Sequence, residues 1–303
     1  MATAAVQRDG TRGGVLLGFI GVLAFSLTLP ATRAAVPTLG AVFVGLGRAL
    51  GAAAFAAAYL AYRRARRPNA GELRALAITA TGVIFAFPLL AAIAMQTLPS
   101  SHGAVVAGLT PCATAVMAVW RAGERPSAMF WVGCVAGVIS VLVFAAAEGA
   151  GMPQLADGLL LLGVVGGSLG YAEGAKLTRA WGEGSGILVI SWVLVLAAPL
   201  VAVLMAGSML AHGVPAFADV PIKAWLSFAY LSLISAYLGF FAWYAGLARG
   251  GVARVGQVQL IQPVLTLLWA ALLLGEPLRG RTILAALLVI GSAALSVIGR
   301  TRR

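Results

Sequence analysis

The chain has 303 residues, of which 61% are hydrophobic and 10% charged, and its mean hydropathy is +0.98. Soluble chains average about 45–50% apolar and about 25% charged residues, so soluble-enzyme, disordered and disulfide-scaffold readings are excluded together. Lys and Arg number 21 against 9 Asp and Glu, a formal charge of +12. Most of these cations stand in short connectors between apolar runs, where they orient a membrane protein and do not read nucleic acid.

Breaks at charges, prolines and glycine clusters predict ten apolar spans, at residues 13–32, 38–62, 73–95, 102–120, 127–147, 157–177, 186–210, 224–246, 253–274 and 281–299. The expected fold is an all-α integral membrane protein of ten transmembrane helices. The first span follows Arg8 and Arg12 and reads as a retained helix, not a cleaved signal. The second carries Arg48 at membrane depth, either an anion-facing or gating cation or a structural one bonded to carbonyls, with no acidic partner to name. His102 opens the fourth span as a solvated or capping residue. Cys112 and Cys134 lie in apolar runs and form neither a disulfide framework nor a metal cluster. Gly166, Gly170 and Gly174 in the sixth span, Gly14 with Gly18, and Gly133 with Gly137 recur every fourth residue, a device for close helix approach. In the sixth span Glu173 and Lys176 are spaced to pair with each other. Trp120, Trp131, Trp181 and Trp225 stand at span ends as interface anchors.

With both termini cytoplasmic, the inner side holds Arg8, Arg12, Arg63, Arg64, Arg66, Arg67, Arg74, Arg121, Arg125, Lys176, Arg179, Arg249, Arg254, Arg300, Arg302 and Arg303. The outer side holds Arg33, Lys223, Arg279 and Arg281, a split of 16 to 4 that sets the orientation. The connectors leave no room for a soluble domain, so the activity belongs within the bilayer.

Shifting the sequence on itself by 152 residues superposes 111–124 on 263–276, matching Pro111, Thr114, Ala118, Gly123 and Glu124 with Pro263, Thr266, Ala270, Gly275 and Glu276. Thr32-Arg33-Ala34 and Thr178-Arg179-Ala180 end the first spans of the two halves alike. The chain therefore divides into a first repeat at 1–152 and a second at 153–303. Five spans is an odd number, so the second repeat enters the membrane inverted, an architecture suited to alternating access around a midplane site.

Pro111 and Pro263 free the carbonyls of Ala107 and Gln259. Gln259, Gln262 and Thr266 share one helical face, and the repeat-equivalent face carries Ala107, Thr110 and Thr114. These faces read as opposite walls of one cavity or as interhelical hydrogen-bonding glue. Phe85 superposes on Tyr237, which forms an aromatic stripe with Phe240 and Tyr244, and Tyr171 is a second tyrosine far from the headgroups.

The Pro-x12-Glu spans in both halves, the ten spans and the chain length resemble the EamA-type branch of the drug/metabolite transporter superfamily. Phe25-Ser26 followed by Arg33 resembles that family's aromatic-Ser/Gly motif with a basic residue one to two turns on. The resemblance covers essentially the whole chain and implies a transporter whose substrate, among amino acids, drugs, nucleotide-linked sugars and other metabolites, is left open. Within the family it is similar above all to the amino acid exporters. Members of the aromatic exporter group can carry Trp directly before the fourth-span proline, where this chain has Thr110.

The expectation is a secondary transporter, not an enzyme, that exports small metabolites, most of all amino acids, across the inner (plasma) membrane. The expected substrate contacts are Phe25, Ser26, Phe85, Thr110, Tyr171, Tyr237, Gln259 and Gln262. Pro111 and Pro263 are the helix breaks or gates, and Glu173 is the candidate for proton coupling. No catalytic residue, metal ligand or cofactor is expected. The expected partners are a small-molecule substrate and the lipid bilayer, with no nucleic acid and a monomeric chain. Multidrug and nucleotide-sugar or sugar-phosphate transport are the alternatives, with a non-transporting sensor or assembly factor more distant. An embedded enzyme would need a catalytic set that His102, His212 and the two cysteines are not spaced to supply.

Overall fold

Inside a bilayer each backbone N–H and C=O has to be bonded within the protein, and this chain meets the requirement with helices. A computed structural model describes residues 2–122, 127–148, 154–182, 184–250 and 255–301, and the described residues contain no strand. α1 comprises Ala2–Ser26 and Thr28–Leu39, and α2 runs through a π-helical Phe43–Gly47 into Arg48–Tyr62. α3 joins Ala70–Ala80, a π-helical Thr81–Ala86 and Phe87–Ala94, and α4 is split into Ser100–Ala107 and Thr110–Ala122. α5 (Ala128–Glu148), α6 (Leu155–Trp181) and α7 (Gly186–His212) are unbroken. α8 passes from Ile222–Tyr230 through a π-helical Leu231–Leu238 to Gly239–Gly250. α9 opens with a 3-10 turn at Gln257–Ile261 and continues as Gln262–Leu274, and α10 is Gly280–Thr301.

Among the described residues, α1, α2, α3, α6, α7 and α8 are each long and apolar enough to cross a membrane unaided, and α5, α9 and α10 contain shorter apolar stretches. The protein is an all-helical, ten-helix membrane protein. Ten crossings with short connectors put both chain ends at one face, called the terminal face below.

The first span is longer than its sequence signal. α1 continues past Thr32-Arg33-Ala34 to Leu39, with Pro37 inside the helix two residues from its end. Arg33 is therefore not at a helix end, and its Nη1 donates to the carbonyls of Met95 (2.6 Å) and Gln96 (3.0 Å). Gly123, Glu124, Arg125, Arg254, Arg302 and Arg303 lie outside the described residues.

Packing repeats across the halves. α1 lies along α8 as α6 lies along α3, while α2 pairs with α7, α4 with α9 and α5 with α10. Exchanging helices one to five with six to ten maps this pattern onto itself. Two contacts are backbone to backbone, as small residues allow. A Cβ at Gly246 of α8 would stand 2.6 Å from the Gly18 nitrogen of α1, and one at Gly82 of α3 would stand 2.8 Å from the Gly170 nitrogen of α6. On the α4–α5 side, Cys112 and Cys134 are both buried, with Sγ atoms 2.8 Å apart.

Candidate functional site

Four irregular backbone segments converge at mid-depth. The α1 break at Leu27 is held by neighbours: Tyr230 Oη donates to the Ala24 carbonyl (2.6 Å) and Thr266 Oγ1 to the Ser26 carbonyl (2.7 Å). Thr28 and Ser235 join α1 to the π-helical turn of α8 through their hydroxyls at 2.8 Å. In α4 the Thr110 hydroxyl donates to the Ala107 carbonyl at 2.6 Å, so the acceptor freed by Pro111 is satisfied by the residue next to that proline. In α9 the backbone N–H of Gln262 bonds the Gln259 carbonyl, the acceptor freed by Pro263. The two proline breaks meet, since a Cβ at Gly108 would lie 3.2 Å from Pro263 Cγ.

Between these segments lies a cavity of about 20 Å³, lined by Phe25, Thr28, Arg48, Val83, Phe87, Thr110, Val164, Gly167, Tyr171, Ser235, Phe240 and Gln262. That is room for a single water molecule. Four of the linings come from or directly after π-helical turns: Arg48, Val83, Phe87 and Ser235. Such turns cost regular hydrogen bonding and recur at functional sites. Towards the terminal face the cavity rests on an aromatic floor. Phe25 meets Phe240 at 4.9 Å between centroids and Tyr171 at 6.1 Å, and Tyr171 meets Trp243 at 5.8 Å.

At the face opposite the termini a vestibule of about 530 Å³ is lined by Arg33, His102, Lys223, Glu276, Arg279 and Thr282 among others. Its rim is built on caps. Glu276 accepts from Ser100 N (2.9 Å), Ser100 Oγ (2.9 Å) and Ser101 N (2.8 Å), closing the N-terminus of α4 from the α9–α10 connector. Its repeat partner Glu124 is outside the described residues. His102 departs from the expectation of a solvated or capping residue. It is 5% exposed and its Nε2 lies 2.6 Å from Asp157 Oδ1, while Asp157 Oδ2 caps α6 by accepting from Gln154 N. A tertiary partner on α6 pulls this histidine inward, which its position at the start of a span does not reveal.

A sequence profile described as the EamA-like transporter family matches residues 12–146 and 155–298. The chain belongs to the EamA-like transporter family. Within reach of this family, an uncharacterized transporter of Bacillus subtilis (strain 168), YdeK, is 43% identical over 297 residues, covering 97% of this chain and 98% of its own. An uncharacterized protein of Pseudomonas aeruginosa is 29% identical over 296 residues, 96% of this chain and 97% of its own. A protein of Salmonella typhimurium described as a probable amino-acid metabolite efflux pump is 39% identical over 79 residues, 26% of each chain. A solved crystal structure superposes with a TM-score of 0.65 at 20% identity, covering 95% of this chain and 97% of its own. That likeness speaks for the fold alone.

On this EamA-like scaffold the structure gathers Phe25, Thr110, Tyr171 and Gln262 around the central cavity. Ser26 is turned away: its Oγ donates to the Leu23 carbonyl (2.8 Å) and accepts from Trp269 Nε1 (2.9 Å). Tyr237 is buried against α7, its hydroxyl 2.9 Å from Ser191 Oγ, and Phe85 packs on the same apolar core. Gln259 is 1% exposed, and among the described residues neither its amide oxygen nor its nitrogen has a hydrogen-bond partner. Pro111 and Pro263 are buried beside the breaks they cause. Glu173 is buried towards the terminal face while Lys176 is exposed. Arg48, Thr28, Ser235, Phe240 and Phe87 also line it. Phe240 belongs to the aromatic stripe on the eighth span and Arg48 is a charge at depth, so both had a signal. The remaining three had none.

Proposed function

We propose that this chain is a secondary transporter that exports small metabolites, amino acids foremost, across the inner (plasma) membrane by alternating access. The observation that carries the reading is the pairing of an occluded midplane cavity with a vestibule open to one face only at its outer end. The cavity is bounded by α1, α2, α3, α4, α6, α8 and α9, and the vestibule widens beyond α4 and α9 at the face away from the termini. Irregular backbone at membrane depth, facing a cavity and drawn from both halves, is the construction that inverted-repeat carriers use to hold substrate.

In this reading residues 1–152 and 153–303 are the two repeats that exchange conformations, and both termini are cytoplasmic, as the 16 to 4 split of basic residues requires. The vestibule then faces outward. The amino-acid component is supported by the Salmonella typhimurium relative, whose match is confined to 79 residues. The cavity's polar atoms are hydroxyls and one amide around a single guanidinium. A polyphosphate would need several cations to leave water, which disfavours nucleotide-sugar cargo. Glu173 is the acid proposed for proton coupling, being 3% exposed within α6.

Labelled neutral amino acids offered to proteoliposomes, with and without an imposed proton gradient, test this reading. Saturable uptake that excess unlabelled substrate abolishes is the expected result. Flux equal to that of protein-free vesicles for every amino acid would overturn the amino-acid assignment.

A further inference from the structure

Arg48 is the one ionised side chain on the wall of the central cavity, and nothing in the transport reading yet uses it. It follows directly on the π-helical turn Phe43–Gly47 of α2, which adds a residue to the turn. The residue is 5% exposed. Among the described residues its guanidinium makes no hydrogen bond and no ion pair. Its electrostatic neighbour is the phenol of Tyr171, across the same cavity. A cation at membrane depth is normally paired with an acid or with backbone carbonyls. The carbonyls freed by the α4 and α9 breaks are already taken, by Thr110 and by the Gln262 N–H. No Asp or Glu lines the cavity.

We propose that Arg48 is the receptor for a carboxylate on the transported metabolite. This rests on the transporter reading and deepens it by naming the charge the substrate must carry. A guanidinium offers parallel N–H donors that match the two oxygens of a carboxylate, and the pairing strengthens where water is excluded. Around it, Phe25, Phe87 and Phe240 form an apolar and aromatic wall for the substrate body, while Thr28, Thr110, Ser235 and Gln262 offer neutral hydrogen bonds. An α-amino group meets hydroxyl and amide oxygens there and no counter-carboxylate. The site therefore demands the carboxylate and only tolerates the ammonium, so a small carboxylate with a neutral or acylated nitrogen fits as well as a free amino acid. The cavity, at about 20 Å³, has to widen to admit such a body. Its walls include the broken α1, α4 and α9 and the π-turns of α3 and α8, where the regular helical bonding is interrupted.

Three probes of one shape separate the possibilities: L-leucine, N-acetyl-L-leucine and L-leucinamide, the last lacking the carboxylate. With the full chain purified in detergent, thermal midpoints are recorded with each probe for wild type, Arg48→Gln and Arg48→Lys. The expected result is a rise for wild type with L-leucine and N-acetyl-L-leucine but not with L-leucinamide. Arg48→Gln should lose that rise while melting at or above the wild-type temperature without probe, because a buried charge lacking a partner has been removed. Arg48→Lys should retain a weakened response. In proteoliposomes the KM for a transported carboxylate should increase at least about tenfold in Arg48→Gln. A variant that melts well below wild type, or fails to fold, marks Arg48 as a structural cation and overturns the proposal. So does wild-type transport with an unchanged KM in Arg48→Gln, which leaves the transporter reading intact. Absence of wild-type binding and flux for every probe removes the transporter reading for this substrate class and the proposal with it.

Discussion

The hydroxyl of Thr110 serves the backbone before it serves any substrate, since its bond to the Ala107 carbonyl replaces the one that Pro111 deletes. Replacing it with valine keeps the shape and removes the donor. Leaving a half-buried carbonyl without a partner costs about 1–3 kcal/mol, so Thr110→Val should lower the thermal midpoint in detergent, with no change in membrane insertion. Gln262 differs, because its backbone satisfies the break while its side chain faces the cavity. Gln262→Ala should leave the midpoint near wild type and raise the transport KM. One lost hydrogen bond of about 1–2 kcal/mol corresponds to a factor of roughly 5–30. Of the residues singled out from the sequence, Phe25, Arg48, Thr110, Tyr171, Phe240 and Gln262 meet at the cavity. Ser26 and Tyr237 carried equally suitable chemistry, yet Trp269 and Ser191 occupy their hydroxyls. Those partners lie on other helices, and helix-to-helix pairing is not written in local spacing.

At the level of elements, the spans were legible because hydrocarbon thickness imposes length and apolarity on each one. The internal breaks read from the sequence are those at Pro111 and Pro263. The α1 break at Leu27 comes before Pro30, whose missing N–H frees the Ser26 carbonyl that Thr266 takes, and the π-turn of α3 comes before Pro88. The π-turn of α8 contains no proline, and its Ser235 is bonded from the facing α1. The rim contact between His102 and Asp157 is of the same kind, joining the first turns of α4 and α6. Asp157→Ala removes both the partner of a buried histidine and the cap on Gln154 N, and is expected to lower the thermal midpoint. The double variant His102→Ala with Asp157→Ala should lose less than the sum of the two single changes, the mark of residues that act on one another. Additive losses would show that the pair contributes nothing as a pair. The α1–α8 seam is tighter still, with glycine backbones of Gly18 and Gly246 in contact. Gly246→Leu should separate these helices and abolish transport, detectable as loss of both flux and a cooperative melt.

For the whole molecule, orientation and mechanism are linked. In the proposed orientation the terminal face is cytoplasmic, so a cysteine placed at Arg67 in the α2–α3 connector should be shielded from a membrane-impermeant thiol reagent in intact cells. One placed at Asp219, in the short 3-10 turn before α8, should be labelled. The reverse pattern would invert the proposed direction of the vestibule. With the vestibule outward and the aromatic floor of Phe25, Tyr171, Phe240 and Trp243 beneath the cavity, access alternates only if that floor opens when the vestibule closes. Counterflow tests this directly. Proteoliposomes are loaded with an unlabelled amino acid and diluted into a trace of the same labelled compound. An alternating-access carrier returns from each outward trip loaded, so label should accumulate transiently above its equilibrium level and then decay. A monotonic approach to equilibrium would indicate a continuous pore through the same helices and contradict the account.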